Sequence, residues 1–271
     1  MEVPLTKTIE ILCNHDYFDK TNFRNKFKKH RKMKRNLLLI SNSTNRGEEY
    51  LGWCREMIKD FCQESGVKRV LFIPYAGVSM GYDNYEAKVK AAFATIGLDL
   101  YSIHKEADAK KAVEQAECIA VGGGNTFHLV YELYKNEIME LISEKVMNGT
   151  AYMGWSAGSN VAGPSLKTTN DMPIIEPKSF DCMKLVPFQI NPHYTDFFDP
   201  KHGGETRDDR LNEFIIVNPN IWVAGIREAT ALRLKEGKLS LIGRDNKMKV
   251  FHGGMEPKEY SLTDDINFLM K

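Results

Sequence analysis

Residues 151–158 read Ala-Tyr-Met-Gly-Trp-Ser-Ala-Gly, an apolar run that ends in a Gly-x-Ser-x-Gly motif. Residues 151–154 predict a buried strand and the residues after Ser156 predict a helix, so the serine lies where a strand gives way to a helix. A sharp turn of this kind strains its central residue and leaves no room for side chains two positions to either side, which explains the glycines. The pattern predicts an exposed, nucleophilic Ser156, and a simple strand–helix corner that contains a serine is the alternative.

The same alternation of apolar and amphipathic segments extends outward from this motif. Further strands are predicted at 37–40, 70–73, 98–103 and 118–121, and helices at 48–64, 85–96, 107–115 and 127–146. Continuous apolar strands separated by helices are typical of a parallel sheet covered on both faces. Later segments predict strands at 185–190, 221–226 and 249–252, a helix near 206–217, and a hairpin of 231–234 with 239–242. We therefore predict an α/β fold: a doubly wound, mostly parallel sheet with helices on both faces and antiparallel strands at one edge.

The composition limits the class of protein. The chain has 271 residues with 37 Lys+Arg against 36 Asp+Glu, a near-neutral balance that argues against a nucleic-acid coat protein. No run approaches the roughly 20 apolar residues of a membrane helix, and no apolar run of signal-peptide type precedes Met33. Five scattered cysteines without a CxxC pair indicate reduced thiols. We expect a cytoplasmic protein without metal, cofactor, nucleic-acid or membrane partner, and its oligomeric state stays open.

A serine hydroxyl needs a general base, which is most often a histidine. Seven histidines are available: His15, His30, His104, His128, His193, His202 and His252. His193 follows the strand predicted at 185–190, and open α/β sheets bind ligands at the carboxyl ends of their strands. We therefore prefer His193 as the base, with His202 as the second candidate.

A glycine-rich turn, Gly122-Gly123-Gly124-Asn125, also follows a predicted strand and precedes a predicted helix. Phosphate binding at the start of the helix is one interpretation, although the spacing is not that of the dinucleotide motif. An oxyanion hole beside Ser156, made of backbone N–H groups, is the second interpretation. A tight turn with no ligand is the third.

Together these segments resemble peptidase E, the α-aspartyl dipeptidase family of serine peptidases. The matching stretches are 39–44, 72–78 (FIPYAGV), 121–127 (VGGGNTF), 152–177, 188–195 (FQINPHYT) and 204–207. The resemblance covers about residues 36–252 and implies a sheet of the class I glutamine amidotransferase-like type. It implies an exopeptidase that hydrolyses dipeptides with an N-terminal aspartate (Asp-X) through an acyl-enzyme.

The resemblance also implies roles for individual residues. Ser156 would be the nucleophile, His193 the general base and Glu228 the third member of the triad, with Asp171 as the alternative acid. The backbone N–H groups of Gly124 and Ala157 would form the oxyanion hole.

Two residues are expected to bind substrate. By resemblance, Arg207 holds the Asp side chain, since a planar guanidinium matches a carboxylate with two hydrogen bonds. Asn125, at the end of the glycine-rich turn, is the other. A cyanophycinase-like hydrolase of aspartyl peptides and a non-hydrolytic metabolite-binding module that uses the glycine-rich turn are the alternative functions.

The first residues of the chain differ from the rest in net charge. Residues 1–35 carry ten Lys/Arg and four acids, a net charge of +6, which leaves about −5 for the remainder. Contact with RNA or an acidic membrane surface is one interpretation of the basic run, and a solvated extension is the other. We predict a basic, poorly ordered extension over 1–34 and a single catalytic domain over 35–271.

Overall fold

The computed structural model describes residues 35–198, 201, 203–244 and 246–271, and within them seven strands form one sheet. Its first five strands are β1 (Leu37–Ile40), β2 (Arg69–Ile73), β3 (Asp99–Ser102), β4 (Cys118–Val121) and β5 (Ala151–Trp155), all parallel. The hairpin of β8 (Thr230–Lys235) and β9 (Lys238–Gly243) adds antiparallel strands at the β1 edge, and the order across the sheet is β3-β2-β4-β5-β1-β8-β9. The predicted mostly parallel sheet with an antiparallel edge is confirmed.

Helices lie on both faces of this sheet. On one face are α1 (Arg55–Glu64) and α2 (Tyr82–Ala94), and on the other are α3 (Ala109–Gln115), α4 (Thr126–Lys135) and α5 (Met139–Met147). Alternate residues of β1 serve the two cores: Leu38 and Ile40 pack with α1 and α2, while Leu37 and Leu39 pack with the other three helices. Because both faces of each central strand are buried, these strands are continuously apolar in the sequence.

A second sheet has four strands: β6 (Gln189–Tyr194), β7 (Val223–Arg227), β10 (Met248–Phe251) and β11 (Lys258–Tyr260). Their order across the sheet is β11-β10-β7-β6. One face shares the core of the larger sheet through Ile190, Ala224 and Val250, and the other is covered by α7 (Arg207–Val217). We expected one sheet, and this second sheet is a correction: apolar periodicity indicates a strand but carries no information about which strand it pairs with.

Three predicted segments differ most from the structure. The helix predicted over 48–64 begins only after Leu51, whose left-handed backbone (φ 56°) precedes a short 3-10 turn at Gly52–Cys54. The helix predicted over 127–146 is two helices, α4 and α5, separated near Glu137, which also has a positive φ. The strand predicted at 185–190 is shifted to Gln189–Tyr194, so His193 lies within a strand rather than just past one.

The predictions about thiols and membranes can be compared with the described residues. Cys54, Cys62, Cys118 and Cys182 are buried and free, as the scattered spacing indicates, and Cys13 lies outside the described residues. Within the described ranges, no helix combines the length and apolar character needed to cross a bilayer. The predicted extension over 1–34 also lies outside the described residues.

Candidate active site

Ser156 occupies the sharp turn between β5 and the short helix α6 (Ala157–Asn160). Its backbone has φ 53° and ψ −114°, a strained conformation for a residue other than glycine. A Cβ atom on Gly154 would lie 2.3 Å from the carbonyl oxygen of Gly158, and one on Gly158 would lie 2.1 Å from that of Val121. Close backbone packing therefore requires both glycines of the motif, as the sequence predicted.

A cavity of about 560 Å³ opens beside this turn. The loops that follow β1, β2 and β4 line it, together with Ser156 and His193. This position, at the carboxyl ends of the parallel strands, is where open α/β sheets bind ligands, and the volume suits a small molecule. Both side chains line the cavity, but no hydrogen bond joins them within the described part of the chain. Catalytic hydrogen bonds are often long in proteins without bound substrate.

His193 is held by Glu228. His193 lies near the end of β6, at an irregularity in the pairing with β7, and has a φ of 53°. Its Nδ1 is 2.9 Å from Oε1 of Glu228, which directly follows β7. A neutral imidazole that donates from Nδ1 to a carboxylate has a free electron pair on Nε2, so this contact prepares Nε2 to accept a proton.

Asp171, the alternative acid, has different partners. Its Oδ2 accepts hydrogen bonds from the N–H and the hydroxyl of Thr126, at 2.7 and 2.6 Å, and from the hydroxyl of Thr169 at 3.1 Å. The carboxylate thus binds the first residue of α4, and across the described chain it makes no hydrogen bond with His193. The geometry favours Glu228 over Asp171 as the partner of His193.

The glycine-rich turn lies directly against Ser156, since a Cβ on Gly123 would be 2.8 Å from the serine Cβ. The Tyr85 hydroxyl donates to the Gly123 carbonyl oxygen at 3.0 Å. In a trans peptide the C=O and the following N–H point in opposite directions, so the Gly124 N–H points away from Tyr85. Among the described residues, the N–H groups of Gly124 and Ala157 donate to no acceptor.

Asn125 lines the cavity, but both the oxygen and the nitrogen of its side-chain amide make hydrogen bonds within the protein. Its Oδ1 accepts from the His128 N–H at 3.0 Å and caps α4, while its Nδ2 donates to the Met172 carbonyl oxygen at 2.9 Å. Its backbone N–H donates to the Ala76 carbonyl oxygen at 2.9 Å and its carbonyl oxygen accepts from the Leu129 N–H at 3.1 Å, so the predicted contact with substrate would use the second N–H of the side-chain amide.

Arg207 is the first residue of α7 and does not belong to the described lining of the cavity. Burial lowers the pKa of its guanidinium, and Nη1 is buried with no hydrogen-bond partner among the described residues. The neighbouring Asp208 accepts a hydrogen bond from the Tyr194 hydroxyl at 2.5 Å, and Tyr194 follows His193 in β6. Arg207 therefore lies beside Tyr194, the last residue of β6, as a cation with an unused donor.

The sequence predictions gave no role in the site to the loop after β1. The Ser41 hydroxyl accepts from the His193 N–H at 2.9 Å, and the Asn42 side-chain oxygen accepts from the Ala229 N–H at 2.9 Å, next to Glu228. This loop therefore positions both members of the His–Glu pair. The available signal was a polar loop after a buried strand, which does not identify partners that are far apart in the chain.

Among the described residues, one group of side chains of the kinds that bind metal ions lies close together: Asp83, Glu86 and His104. The Lys105 ammonium lies 3.2 Å from the Asp83 carboxylate and 2.7 Å from that of Glu86. The group is accounted for as a set of ion pairs, and none of these residues lines the cavity beside Ser156.

Comparisons with known proteins place this arrangement in a family. Residues 37–242 match the sequence model of Peptidase family S51. A Peptidase E from Nostoc sp. is 48% identical over 88% of this chain and 98% of its own length, and one from Shewanella sp. is 47% identical over 87% and 99%. The crystal structure of a peptidase from an acI-B1 Actinobacterium has a similar fold, with a TM-score of 0.61 at 18% identity over 87% of this chain and 97% of that one. The chain therefore belongs to peptidase family S51 and is a peptidase.

Proposed function

We propose that this peptidase is a serine exopeptidase that hydrolyses cytoplasmic dipeptides with an N-terminal aspartate. The observation that carries the proposal is the contact of His193 with Glu228 at the cavity into which the strained Ser156 turn opens. The similarity to proteins named Peptidase E supports it. Every residue that the mechanism uses lies within 35–271, which we propose as the catalytic domain.

In the acylation step, Ser156 Oγ attacks the carbonyl carbon of the peptide bond while Nε2 of His193 takes the hydroxyl proton. Glu228 accepts the Nδ1–H hydrogen bond and stabilises the imidazolium that forms. When the tetrahedral intermediate collapses, the C–N bond breaks and His193 gives its proton to the leaving amine. The product amino acid departs and the aspartyl group stays on Ser156 as an ester.

In the deacylation step, His193 takes a proton from water, and the resulting hydroxide attacks the ester carbon. Collapse of the second tetrahedral intermediate breaks the ester bond, returns the proton to Ser156 and releases aspartate. Both steps place negative charge on the former carbonyl oxygen.

The N–H groups of Gly124 and Ala157 would bind that oxygen. They flank Ser156 from two different turns and have no other acceptor among the described residues. Preorganised donors of this kind stabilise the transition state because they need no reorientation as charge develops. Tyr85 keeps the Gly123–Gly124 peptide in the orientation that this role requires.

Arg207 would select the aspartate. The guanidinium is half-buried and its Nη1 has no hydrogen-bond partner among the described residues, a cost that a substrate carboxylate would offset. Because Arg207 is anchored next to the end of β6, an Asp side chain that extends from the scissile bond past His193 could reach it. A neutral N-terminal residue would leave the cation unpaired.

A dipeptide panel tests the proposed function. Purified protein would be assayed with Asp-Leu, Asn-Leu, Glu-Leu and Ala-Leu, with Ser156→Ala purified in parallel to expose contaminating peptidases. We expect kcat/KM to be highest for Asp-Leu and at least about 100-fold lower for Ala-Leu, since Ala-Leu lacks two hydrogen bonds between charged groups, each worth about 1.5–3 kcal/mol. Equal rates for Asp-Leu and Ala-Leu would contradict the proposal.

A further inference from the structure

Lys88 lies on α2 and lines the same cavity as Ser156. Among the described lining residues, no other is a Lys or Arg, and none is an Asp or Glu. The described lining of the cavity therefore carries one permanent positive charge and no carboxylate. Such a site attracts an anionic group of the substrate.

The Lys88 side chain lies over an aromatic ring. Its Nζ lies 4.4 Å from the centroid of the Tyr50 ring, a cation–π contact. The Tyr50 hydroxyl is 3.3 Å from that of Tyr85, which in turn bonds to Gly123 beside Ser156. A continuous set of contacts thus links the ammonium to the proposed oxyanion turn.

Within the described chain Lys88 forms no ion pair, whereas Lys105 pairs with two carboxylates and Lys59 and Lys135 each pair with a glutamate on their own helix. Other exposed lysines such as Lys90 also form no ion pair, but of the described lysines Lys88 is the one that lines the cavity beside Ser156. An exposed ammonium fixed over an aromatic ring, without a protein carboxylate, is available to a carboxylate from a ligand.

Apolar side chains surround the same part of the cavity. Val78, Met80 and Ile174 line it and are all exposed, at 46, 39 and 55% of their accessible surface. An apolar wall with one cation complements an amino acid that has an apolar side chain and a free carboxylate.

We infer that Lys88 binds the free C-terminal carboxylate of the dipeptide and so restricts the enzyme to short substrates. The inference rests on the proposed function, because the carboxylate belongs to the leaving residue of Asp-X. In a dipeptide this carboxylate is two bonds from the nitrogen of the scissile bond. Amidation removes its charge, and extension of the peptide moves the charge away from Lys88.

A comparison of two substrates tests this subsite. Asp-Leu and Asp-Leu amide would be assayed with wild type, Lys88→Gln and the matched control Lys90→Gln, an exposed lysine on the same helix that does not line the cavity. We expect Lys88→Gln to lose about 10- to 100-fold in kcat/KM on Asp-Leu, the range for a hydrogen bond to a charged group, and to change little on the amide. Lys90→Gln should match wild type on both, and Lys88→Arg should retain most of the activity on Asp-Leu.

The rates on Asp-Leu amide distinguish a failure of the Lys88 assignment from a failure of the proposed function. Equal losses by Lys88→Gln on both substrates, or no loss on Asp-Leu, would overturn the assignment of Lys88 while the aspartyl peptidase activity stands. If wild type cleaves neither substrate, the proposed function fails and this subsite fails with it.

Discussion

Nδ1 of His193 lies 2.9 Å from Oε1 of Glu228, although 35 positions separate the two residues in the chain. Adjacent parallel strands, β6 and β7, bring them together at the same end of the second sheet. This is the relationship that a general base and its orienting acid require, and it supports Glu228 as the acid of the triad.

Replacement of Glu228 with Gln should lower kcat on Asp-Leu by about 10²- to 10⁴-fold, because the amide no longer stabilises the imidazolium. KM should change much less, since Glu228 does not line the cavity. Asp171→Asn is the matched control: it weakens the bonds to Thr126, so we expect about 1 kcal/mol less stability and a smaller loss of kcat. A larger kcat loss for Asp171→Asn than for Glu228→Gln would reverse the assignment.

Tyr85→Phe tests the positioning of the proposed oxyanion turn. The Tyr85 hydroxyl donates to the Gly123 carbonyl and accepts from the indole N–H of Trp155 at 3.1 Å and from the Tyr50 hydroxyl at 3.3 Å, so its loss leaves three groups without this partner. We expect a destabilisation of about 1–3 kcal/mol and, at temperatures where the variant is folded, a fall in kcat of about tenfold with little change in KM.

An aldehyde analogue of Asp-Leu distinguishes positioning from general destabilisation, because it forms a tetrahedral oxyanion. Tyr85→Phe should weaken aldehyde binding more than binding of an uncleaved product analogue. Tyr134→Phe, which removes a hydroxyl that bonds to the distant Asp181 carbonyl, should leave both affinities unchanged. Equal weakening of the two ligands by Tyr85→Phe would show a role in general stability alone.

Arg207→Ala should reduce kcat/KM on Asp-Leu by at least about 100-fold and leave the low rate on Ala-Leu nearly unchanged, because the lost contact involves the Asp side chain. Arg210→Ala is the control. Arg210 lies on the same helix, is exposed and lies 3.5 Å from Glu205, and its replacement should affect neither substrate. Similar losses for both substrates in Arg207→Ala would remove Arg207 from specificity.

Ser41→Ala should affect stability and catalysis together. The Ser41 hydroxyl is buried, accepts from the His193 N–H and donates to the Ile226 carbonyl oxygen at 2.8 Å. We expect a loss of about 1–3 kcal/mol in the free energy of unfolding, measured in urea, and a lower kcat because His193 is less well positioned. A destabilised variant with wild-type kcat would mean that Ser41 has no part in positioning the base.

The larger sheet was predictable because burial on both faces makes its central strands continuously apolar in the sequence. Strand β4 was predicted with its observed ends, and the Gly-x-Ser-x-Gly motif located the turn at Ser156. The second sheet was not predictable, because strand pairing depends on contacts between residues far apart in the chain. The break between α4 and α5 near Glu137 was also missed, because a positive φ is uncommon for a glutamate and the sequence does not indicate it.

The site was predictable to the extent that motifs mark it. Ser156 and the glycine-rich turn could be selected from local pattern, whereas Glu228 and Arg207 were selected by family resemblance. Ser41, Tyr85 and Lys88 were missed, because their significance lies in hydrogen bonds and cavity contacts across the fold. Arg207 was predicted in the substrate site, and it lies beside the end of β6 rather than in the described cavity lining.

The most direct test of the account is the rate of aspartyl p-nitroanilide hydrolysis by wild type and Ser156→Ala, purified identically and matched for folding by circular dichroism. This substrate has no C-terminal carboxylate, so its rate depends on the proposed triad and not on Lys88. Loss of the nucleophile should reduce kcat by at least about 10⁴-fold, as in other enzymes that act through an acyl-enzyme. A Ser156→Ala protein that retains a tenth or more of the wild-type rate would contradict the assignment of Ser156 as the nucleophile.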